Sequence, residues 1–86
     1  MFYAYVIVER ESGKRYIGFT SNLRRRLAEH NGQQGSRYTK SGSWNLIYYE
    51  AYLSKKDALR REKALKDGRS KYHLFQRIKY SLTGQK

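Results

Sequence analysis

Residues 16–31 constrain the fold of this chain most, because they predict a short strand that ends in glycine, then a turn and a helix. One face of that helix carries four residues at helical spacing: Leu23, Arg26, Leu27 and His30. A helix that only packed on a core would carry aliphatic side chains at the second and fourth positions. Because charged side chains are rarely buried without a partner, Arg26 and His30 indicate a site. The tyrosine-bearing strand beside them favours a phosphate as its ligand.

The segments around this stretch predict a small α+β domain. Apolar alternation predicts strands at residues 2–9, 15–18 and 44–53, the first two joined as a hairpin through Gly13. Helical spacing predicts one helix that ends at Asn31 and two more after the third strand, separated by Asp67 and Gly68. The order ββαβαα therefore predicts a three-stranded, mostly antiparallel sheet with helices packed on it. We expect one domain over residues 1–80 and a flexible C-terminal tail over residues 81–86.

Capping residues set expectations for where the helices begin. Ser21 or Asn22 is expected to cap the first helix. Ser54 and Asp57 have the spacing of a capping box at the start of the second, with aspartate in place of the usual glutamate. Ser70 is expected to cap the third. Alternation along the third strand is expected to place three residues on one face: Leu46, Tyr48 and Glu50.

The charge of the chain points to a polyanionic partner. Nineteen basic residues against seven acidic ones give a net charge of +12, spread over the whole length rather than confined to a tail. Such a field attracts nucleic acid independently of its sequence. Four basic residues are expected to contact DNA, two on the exposed side of the first helix and two in the polar loop that follows: Arg24, Arg25, Arg37 and Lys40.

The chain contains no cysteine, which excludes disulfides and cysteine-based zinc sites. The apolar run at residues 2–8 is too short to span a membrane and lacks the pattern of a signal peptide. We therefore expect a cytoplasmic protein with no membrane partner.

Glu62 is the acidic residue whose position is hardest to explain by solvation alone. It lies four residues after Ala58 and three before Leu65, on or beside the buried stripe of the second helix. It could be a carboxylate at the edge of the core, paired with an arginine. It could also be a ligand for a hard cation such as Mg²⁺, which needs only one or two protein carboxylates beside water and a substrate phosphate.

Four further residues also allow both a structural and a chemical role. Arg26 could be solvated like its neighbours, or its planar guanidinium could bind two oxygens of one phosphate. His30 could stabilise the C-terminus of its helix, or it could orient water and transfer a proton. Tyr5 and Tyr16, on neighbouring strands, could be packing residues, or a phenol near a metal and an arginine could act as a base.

The sequence resembles the GIY-YIG nuclease domain family over about residues 2–78. The second of the two tripeptides that name the family is matched in full by residues 16–18, Tyr-Ile-Gly. The first is matched only in its tyrosine, since Tyr3-Ala4-Tyr5 stands where Gly-Ile-Tyr is expected. The resemblance is to the small stand-alone bacterial members, which are similar to the N-terminal nuclease domain of the excision-repair incision subunit.

The resemblance implies a role for each of five residues. Glu62 would hold one divalent ion, Mg²⁺ or Mn²⁺, that binds the scissile phosphate and the leaving 3′ oxygen. Arg26 would stabilise the charge that develops on the phosphate. Tyr5, Tyr16 and His30 would position and deprotonate the attacking water.

The implied function is a metal-dependent endonuclease that nicks structured DNA in repair or recombination. A non-catalytic nucleic-acid-binding module that keeps the nuclease fold is the alternative, because the net charge and the aromatic residues would serve it equally well. A third hypothesis is a subunit whose substrate is chosen by a protein partner, or a homodimer whose two sites cut both strands.

Overall fold

A computed structural model describes residues 1–32 and 42–84. The elements follow the predicted order ββαβαα, with one further helical turn at the end. Their bounds are β1 (Phe2–Glu9), β2 (Arg15–Thr20), α1 (Leu23–Asn31), β3 (Trp44–Tyr52), α2 (Lys55–Lys66), α3 (Gly68–Arg77) and α4 (Lys79–Leu82). The predicted α+β class is confirmed, and the flexibility of residues 81–86 stays a prediction. No helix within the described residues is long and apolar enough to cross a membrane.

The sheet is antiparallel throughout, with the strand order β2-β1-β3. β1 and β2 form the predicted hairpin, and Gly13 takes a φ of +73° in its turn. Such a backbone conformation favours glycine because it has no Cβ. β1 lies in the middle of the sheet, and helices cover both of its faces, which explains why apolar residues occupy both sets of alternate positions.

Two apolar layers lie on opposite faces of the sheet. On one face, Ala4 and Val6 of β1 pack with Leu65 of α2 and Leu74 of α3. On the other face, a second cluster is covered by Leu23 and Leu27 of α1, and its buried members are Tyr5, Ile7 and Trp44. The helices thus divide between the two faces, and β2 keeps a free edge between them.

The expected face pattern of β3 is wrong at Leu46, because the strand contains a β-bulge. Val6 pairs with Tyr48 but the next residue, Ile7, pairs with Leu46, so Ile47 is an extra residue on β3. A bulge reverses the alternation of side chains beyond it. Leu46 therefore packs with the cluster under α1, whereas Tyr48 packs against the opposite layer.

The helix caps are confirmed at one end and corrected at two others. The side chain of Asn22 accepts a hydrogen bond of 3.0 Å from the backbone N–H of Arg25. Ser54 makes no side-chain cap bond, and the aspartate at Asp57 is one methylene shorter than the glutamate of a capping box. Asp67 alone separates α2 from α3, so α3 begins at Gly68 and Ser70 lies inside the helix.

Candidate active site

The hydroxyl of Tyr5 lies at the centre of the site that the sequence predicts. β1 directs Tyr5 to the face covered by α1, where only 2% of the residue remains exposed. Its hydroxyl and Nε2 of His30 share a hydrogen bond of 2.7 Å. His30 is the one fully buried residue of α1, which explains an ionisable side chain on the apolar face of this helix.

Gly18 provides the space that the Tyr5 ring occupies. The two residues pair across β1 and β2. A Cβ at Gly18 would lie 2.5 Å from Cζ of Tyr5 and 2.4 Å from its hydroxyl oxygen. A side chain at this position is therefore incompatible with the Tyr5 ring, and the glycine of the Tyr-Ile-Gly tripeptide is required by the tyrosine of the strand beside it.

Tyr16 completes an aromatic cluster around His30. The rings of Tyr16 and His30 are 5.0 Å apart between centroids and nearly perpendicular, and those of Tyr5 and Tyr16 are 6.5 Å apart. On its other side Tyr16 meets the ring of Trp44 at 6.5 Å. Unlike Tyr5 and His30, Tyr16 is only half-buried, so it is the member of the cluster that reaches the surface.

Arg26 lies beside the Tyr5 hydroxyl and is held by an acid on its own helix. Its Nη1 donates to Oε1 of Glu29 at 2.8 Å, three residues along α1. This hydrogen bond raises the pKa of Arg26 and lowers that of Glu29. A guanidinium has five N–H donors, so the contact with Glu29 leaves donors that can bind a phosphate.

The environment keeps both Tyr5 and His30 neutral at physiological pH. Burial raises the pKa of Tyr5 to about 12, in spite of the opposing effect of the Arg26 guanidinium. Burial, followed by the positive charge of Arg26, lowers the pKa of His30 to about 4. Two neutral groups that share a hydrogen bond can be buried together at little cost, because neither carries an unpaired charge.

Glu62 approaches this cluster from α2, which covers the opposite face of the sheet. Its Oε2 lies 3.2 Å from Nζ of Lys66, one turn further along α2, and its side chain is 22% exposed. The expected pairing of Glu62 with an arginine is therefore replaced by a pairing with a lysine. The negative charge of Glu62 is close enough to contribute to the raised pKa of Tyr5. A cation on Glu62 would thus lie within electrostatic range of the Tyr5 hydroxyl.

The carboxylate of Glu62 is the group at this site that could bind a metal ion. Within residues 1–32 and 42–84, no three histidine, aspartate or glutamate side chains come together as a metal site. Glu50 is occupied, because it accepts hydrogen bonds from the hydroxyls of Tyr48 and Tyr52 and from Nε of Arg61 at 2.8 Å. Glu62 fits an ion such as Mg²⁺, which keeps most of its waters and takes further oxygens from a substrate phosphate.

Asn31, the last residue of α1, fixes the helix to the sheet. Its side-chain amide donates to the carbonyl of Trp44 at 2.9 Å and accepts from the N–H of Trp44 at 2.6 Å. This double hydrogen bond joins the end of α1, next to His30, to the first residue of β3. The sequence predicts Asn31 only as the end of the helix, since no local pattern connects it with Trp44.

The structure brings together four of the predicted residues, Tyr5, Tyr16, Arg26 and His30, with Glu62 in electrostatic range. Arg24 and Arg25 lie on the exposed side of α1, and Nε of Arg25 is 3.8 Å from Oε2 of Glu29. The predicted DNA contacts Arg37 and Lys40 lie outside the described residues. Glu29 was missed as the partner of Arg26, although its i+3 spacing from Arg26 is a signal for such a pair.

The sheet and the residues around Tyr5 define a class of small α+β domain in which a buried tyrosine–histidine pair lies beside an arginine. The family model of the GIY-YIG catalytic domain matches residues 1–78. The chain belongs to the GIY-YIG family.

Within this family, the chain is similar to UPF0213 proteins. A UPF0213 protein of Streptococcus pneumoniae serotype 4 is 43% identical over 65 residues, which cover 74% of this chain and 65% of that protein, just under two thirds of its length. A UPF0213 protein of Halobacterium salinarum is 40% identical over 67 residues, covering 77% and 86%. The solution NMR structure of a UPF0213 protein from Bacillus halodurans matches with a TM-score of 0.56 and 31% identity, over 96% of this chain and 94% of that one.

Proposed function

We propose that this protein is a metal-dependent endonuclease that hydrolyses one phosphodiester bond of structured DNA, in repair or recombination. The observation that carries the proposal is the contact of Tyr5 with His30 beside Arg26, with the charge of Glu62 within range. A core built only for stability would gain little from this arrangement, since apolar residues of similar volume stabilise as well.

Arg26 has the geometry to bind the scissile phosphate. Glu29 orients its guanidinium, which also interacts with the Tyr5 side chain, and because the Arg26 side chain is only partly buried, further N–H donors can bind a phosphate. Charge that develops on the phosphate is stabilised more by a donor fixed in advance than by water, which must reorient. Glu29 therefore acts as a positioning residue for Arg26.

Glu62 is the residue that would hold a divalent ion, Mg²⁺ or Mn²⁺. When bound, such an ion supplies positive charge for the phosphate and for the leaving 3′ oxygen. The single carboxylate suits an ion whose other ligands are water and the substrate itself.

Tyr16 is assigned the direct contact with the attacking water, because it is the member of the cluster at the surface. The burial of Tyr5 and His30, and their shifted pKa values, disfavour both as the group that meets solvent. They instead fix the ring of Tyr16 and the guanidinium of Arg26. Hydrolysis would follow a single in-line displacement without a covalent intermediate.

DNA is the proposed substrate, since the net charge of +12 attracts a polyanion. One site per chain fits nicking of one strand. A homodimer would let its two sites cut both strands, whereas a protein partner would supply specificity. The cytoplasm is the proposed location.

Arg26 and Arg69 provide a matched pair to test the proposal. We expect Arg26→Lys to slow Mg²⁺-dependent cleavage of flapped, branched and nicked DNA by about 100-fold, because lysine lacks the planar guanidinium. Arg69→Lys, at an exposed position of α3, should cut at nearly the parental rate. Rates are measured under single turnover with Mg²⁺ or Mn²⁺. Salt-sensitive binding without cleavage of any substrate by the parent protein would instead favour the non-catalytic module.

A further inference from the structure

A cleft of about 450 Å³ opens at the free edge of β2, between that strand and helices α2 and α3. We call it the β2 cleft, and it is lined by Arg15, Tyr16, Ile17, Lys66, Lys71 and Phe75. Its volume lies within the range of about 300–1,000 Å³ that is typical of small-molecule sites. The cleft is open to solvent at an edge strand, where an extended ligand can enter without displacing secondary structure.

The charge of the β2 cleft selects an anion. Of the six lining residues in the described part of the chain, three are cations and none is acidic. Lys66 pairs with Glu62, but Lys71 forms no ion pair or side-chain hydrogen bond with any part of the chain that the structure describes. Because half-buried Lys71 has no such partner, its ammonium group can bind a phosphate, whereas that of Lys66 is already paired.

The aromatic rings of the cleft select a planar group beside that anion. The guanidinium of Arg15 lies over the ring of Phe75, 4.7 Å from its centroid, and Tyr16 provides a second ring. Nucleic-acid bases stack both on aromatic rings and on the flat face of an arginine. A cleft that combines these surfaces with lysines has the chemistry of a nucleotide site.

Two residues connect the β2 cleft to the candidate active site. Tyr16 lines the cleft and contacts the ring of His30. Lys66 lines the cleft and contacts the carboxylate of Glu62. A DNA strand whose scissile phosphate lies between Tyr16 and Glu62 would therefore continue directly into the cleft.

We propose that the β2 cleft binds one unpaired nucleotide that flanks the scissile phosphate, with its base stacked on the Arg15 guanidinium that the Phe75 ring supports and its phosphate on Lys71. A base paired in a duplex cannot enter such a cleft, so the nucleotide must be single-stranded or displaced from its stack. The inference rests on the proposed nuclease function, because a nucleotide in the cleft flanks a scissile phosphate only if Tyr16 and Glu62 belong to an active site.

Binding without divalent ions tests the cleft separately from cleavage. The probe is a fluorescent five-nucleotide single-stranded DNA, compared with a DNA hairpin and with a mononucleotide, over a series of salt concentrations. Lys71→Ala should lower the salt dependence of single-strand binding by about 0.7 in the log–log slope, the value for one phosphate contact. Lys56→Ala is the matched control, because Lys56 is a lysine that lies away from the cleft. It precedes Lys66, which lines the cleft, by ten residues on α2, or about 15 Å along the helix axis.

Phe75 tests the stacking. Phe75→Leu should weaken binding of the single strand by about fivefold or more and leave binding of the hairpin within about twofold. Phe75→Tyr keeps the ring and should bind as the parent does, which separates loss of stacking from loss of folding. If a mononucleotide binds as well as the five-nucleotide DNA, the ligand is a free nucleotide. That result would overturn the proposal that the cleft binds a nucleotide within a DNA strand.

Three further results would overturn the inference: equal salt slopes for Lys71→Ala and Lys56→Ala, equal effects of Phe75→Leu on single strand and hairpin, or equally effective competition by polyglutamate. Polyglutamate carries charge without bases, so its success would show that the cleft selects charge alone. If the parent protein binds as expected but never cuts DNA, the proposed nuclease function fails while the cleft assignment stands.

Discussion

Gly18 and Tyr5 are paired across two strands, and the space left by one is filled by the ring of the other. This packing brings the Tyr5 hydroxyl to His30 and Arg26 without any special backbone conformation, because Gly18 is not among the glycines with positive φ. Position 18 requires glycine because glycine has no side chain, and not because its backbone is flexible.

Gly18→Ala should therefore displace the Tyr5 ring and lower the free energy of unfolding by about 1–3 kcal/mol, the usual cost of forcing atoms into a packed core. Gly68→Ala is the control, because a Cβ there meets no atom within 4 Å. Urea unfolding of both variants measures the difference. An alanine at position 18 that unfolds like the parent would show that the Tyr5 ring does not occupy this space.

His30 makes stability depend on pH in a defined direction. Its pKa is lowered to about 4 in the folded protein, whereas the unfolded chain binds the proton near pH 6.5. The stability contributed by neutral His30 is fully present above pH 6.5. It is lost as the pH falls toward 4, because the unfolded state then takes up a proton that the folded state does not.

We expect the parent protein to lose about 1–3 kcal/mol more unfolding free energy between pH 6.5 and pH 4 than His30→Gln does. The loss should persist in His73→Gln, because His73 is exposed. Chemical denaturation across this pH range gives the slopes. Parallel slopes for the parent and His30→Gln would mean that His30 titrates in the folded protein as it does in water.

The sequence predicts the residues of the candidate site better than their contacts. Helical spacing places Arg26 and His30 on the apolar face of α1, and the structure shows why they can lie there, since each has a polar partner. Glu29 lies at the i+3 spacing that is typical of such a pair, whereas Tyr5 could not be assigned as the partner of His30 from spacing. Long-range contacts depend on how the strands and helices pack, which the local pattern does not contain.

α1 and β3 are connected by contacts that no local signal predicts. The β-bulge at Ile47 turns Leu46 toward α1, and Asn31 binds both backbone groups of Trp44. The existence of every strand and of the three longer helices follows from apolar periodicity and turn residues. The bulge does not, because the residues around it, 46–49, are all apolar or aromatic and no polar residue marks the change of face. The true start of α3 is hidden by the single-residue connection at Asp67.

Asn31→Ala should lower the free energy of unfolding by about 1–3 kcal/mol, since it leaves the N–H and carbonyl of Trp44 without the asparagine amide. It should also slow cleavage, because His30 precedes Asn31 at the end of the same helix. Asn45→Ala, at an exposed position of β3, is the control for losing an asparagine. If both variants have the same midpoint in urea, the double hydrogen bond does not stabilise the fold.

Across the whole molecule, the attraction for a polyanion comes from many basic residues, whereas the proposed reaction takes place at one site. The basic residues that give the charge of +12 are spread along the chain rather than confined to one segment, so binding should tolerate the loss of any one residue and weaken with salt. Glu62 is an acid within this basic surface, and it lowers the attraction for DNA where it lies. A protein that only binds nucleic acid has no use for an acid at this position, whereas a metal-dependent nuclease requires one.

The most direct test of this account is single-turnover cleavage of a flapped DNA by the parent and by Glu62→Gln, over a Mg²⁺ titration, with DNA binding measured on the same preparations. Glu11→Gln, in the exposed hairpin turn, is the control for removing one negative charge. We expect Glu62→Gln to bind DNA at least as tightly as the parent and to cut it at least about 100-fold more slowly, because the metal contribution is worth several kcal/mol. Cleavage by Glu62→Gln at the parental rate and with the parental Mg²⁺ dependence would contradict the account.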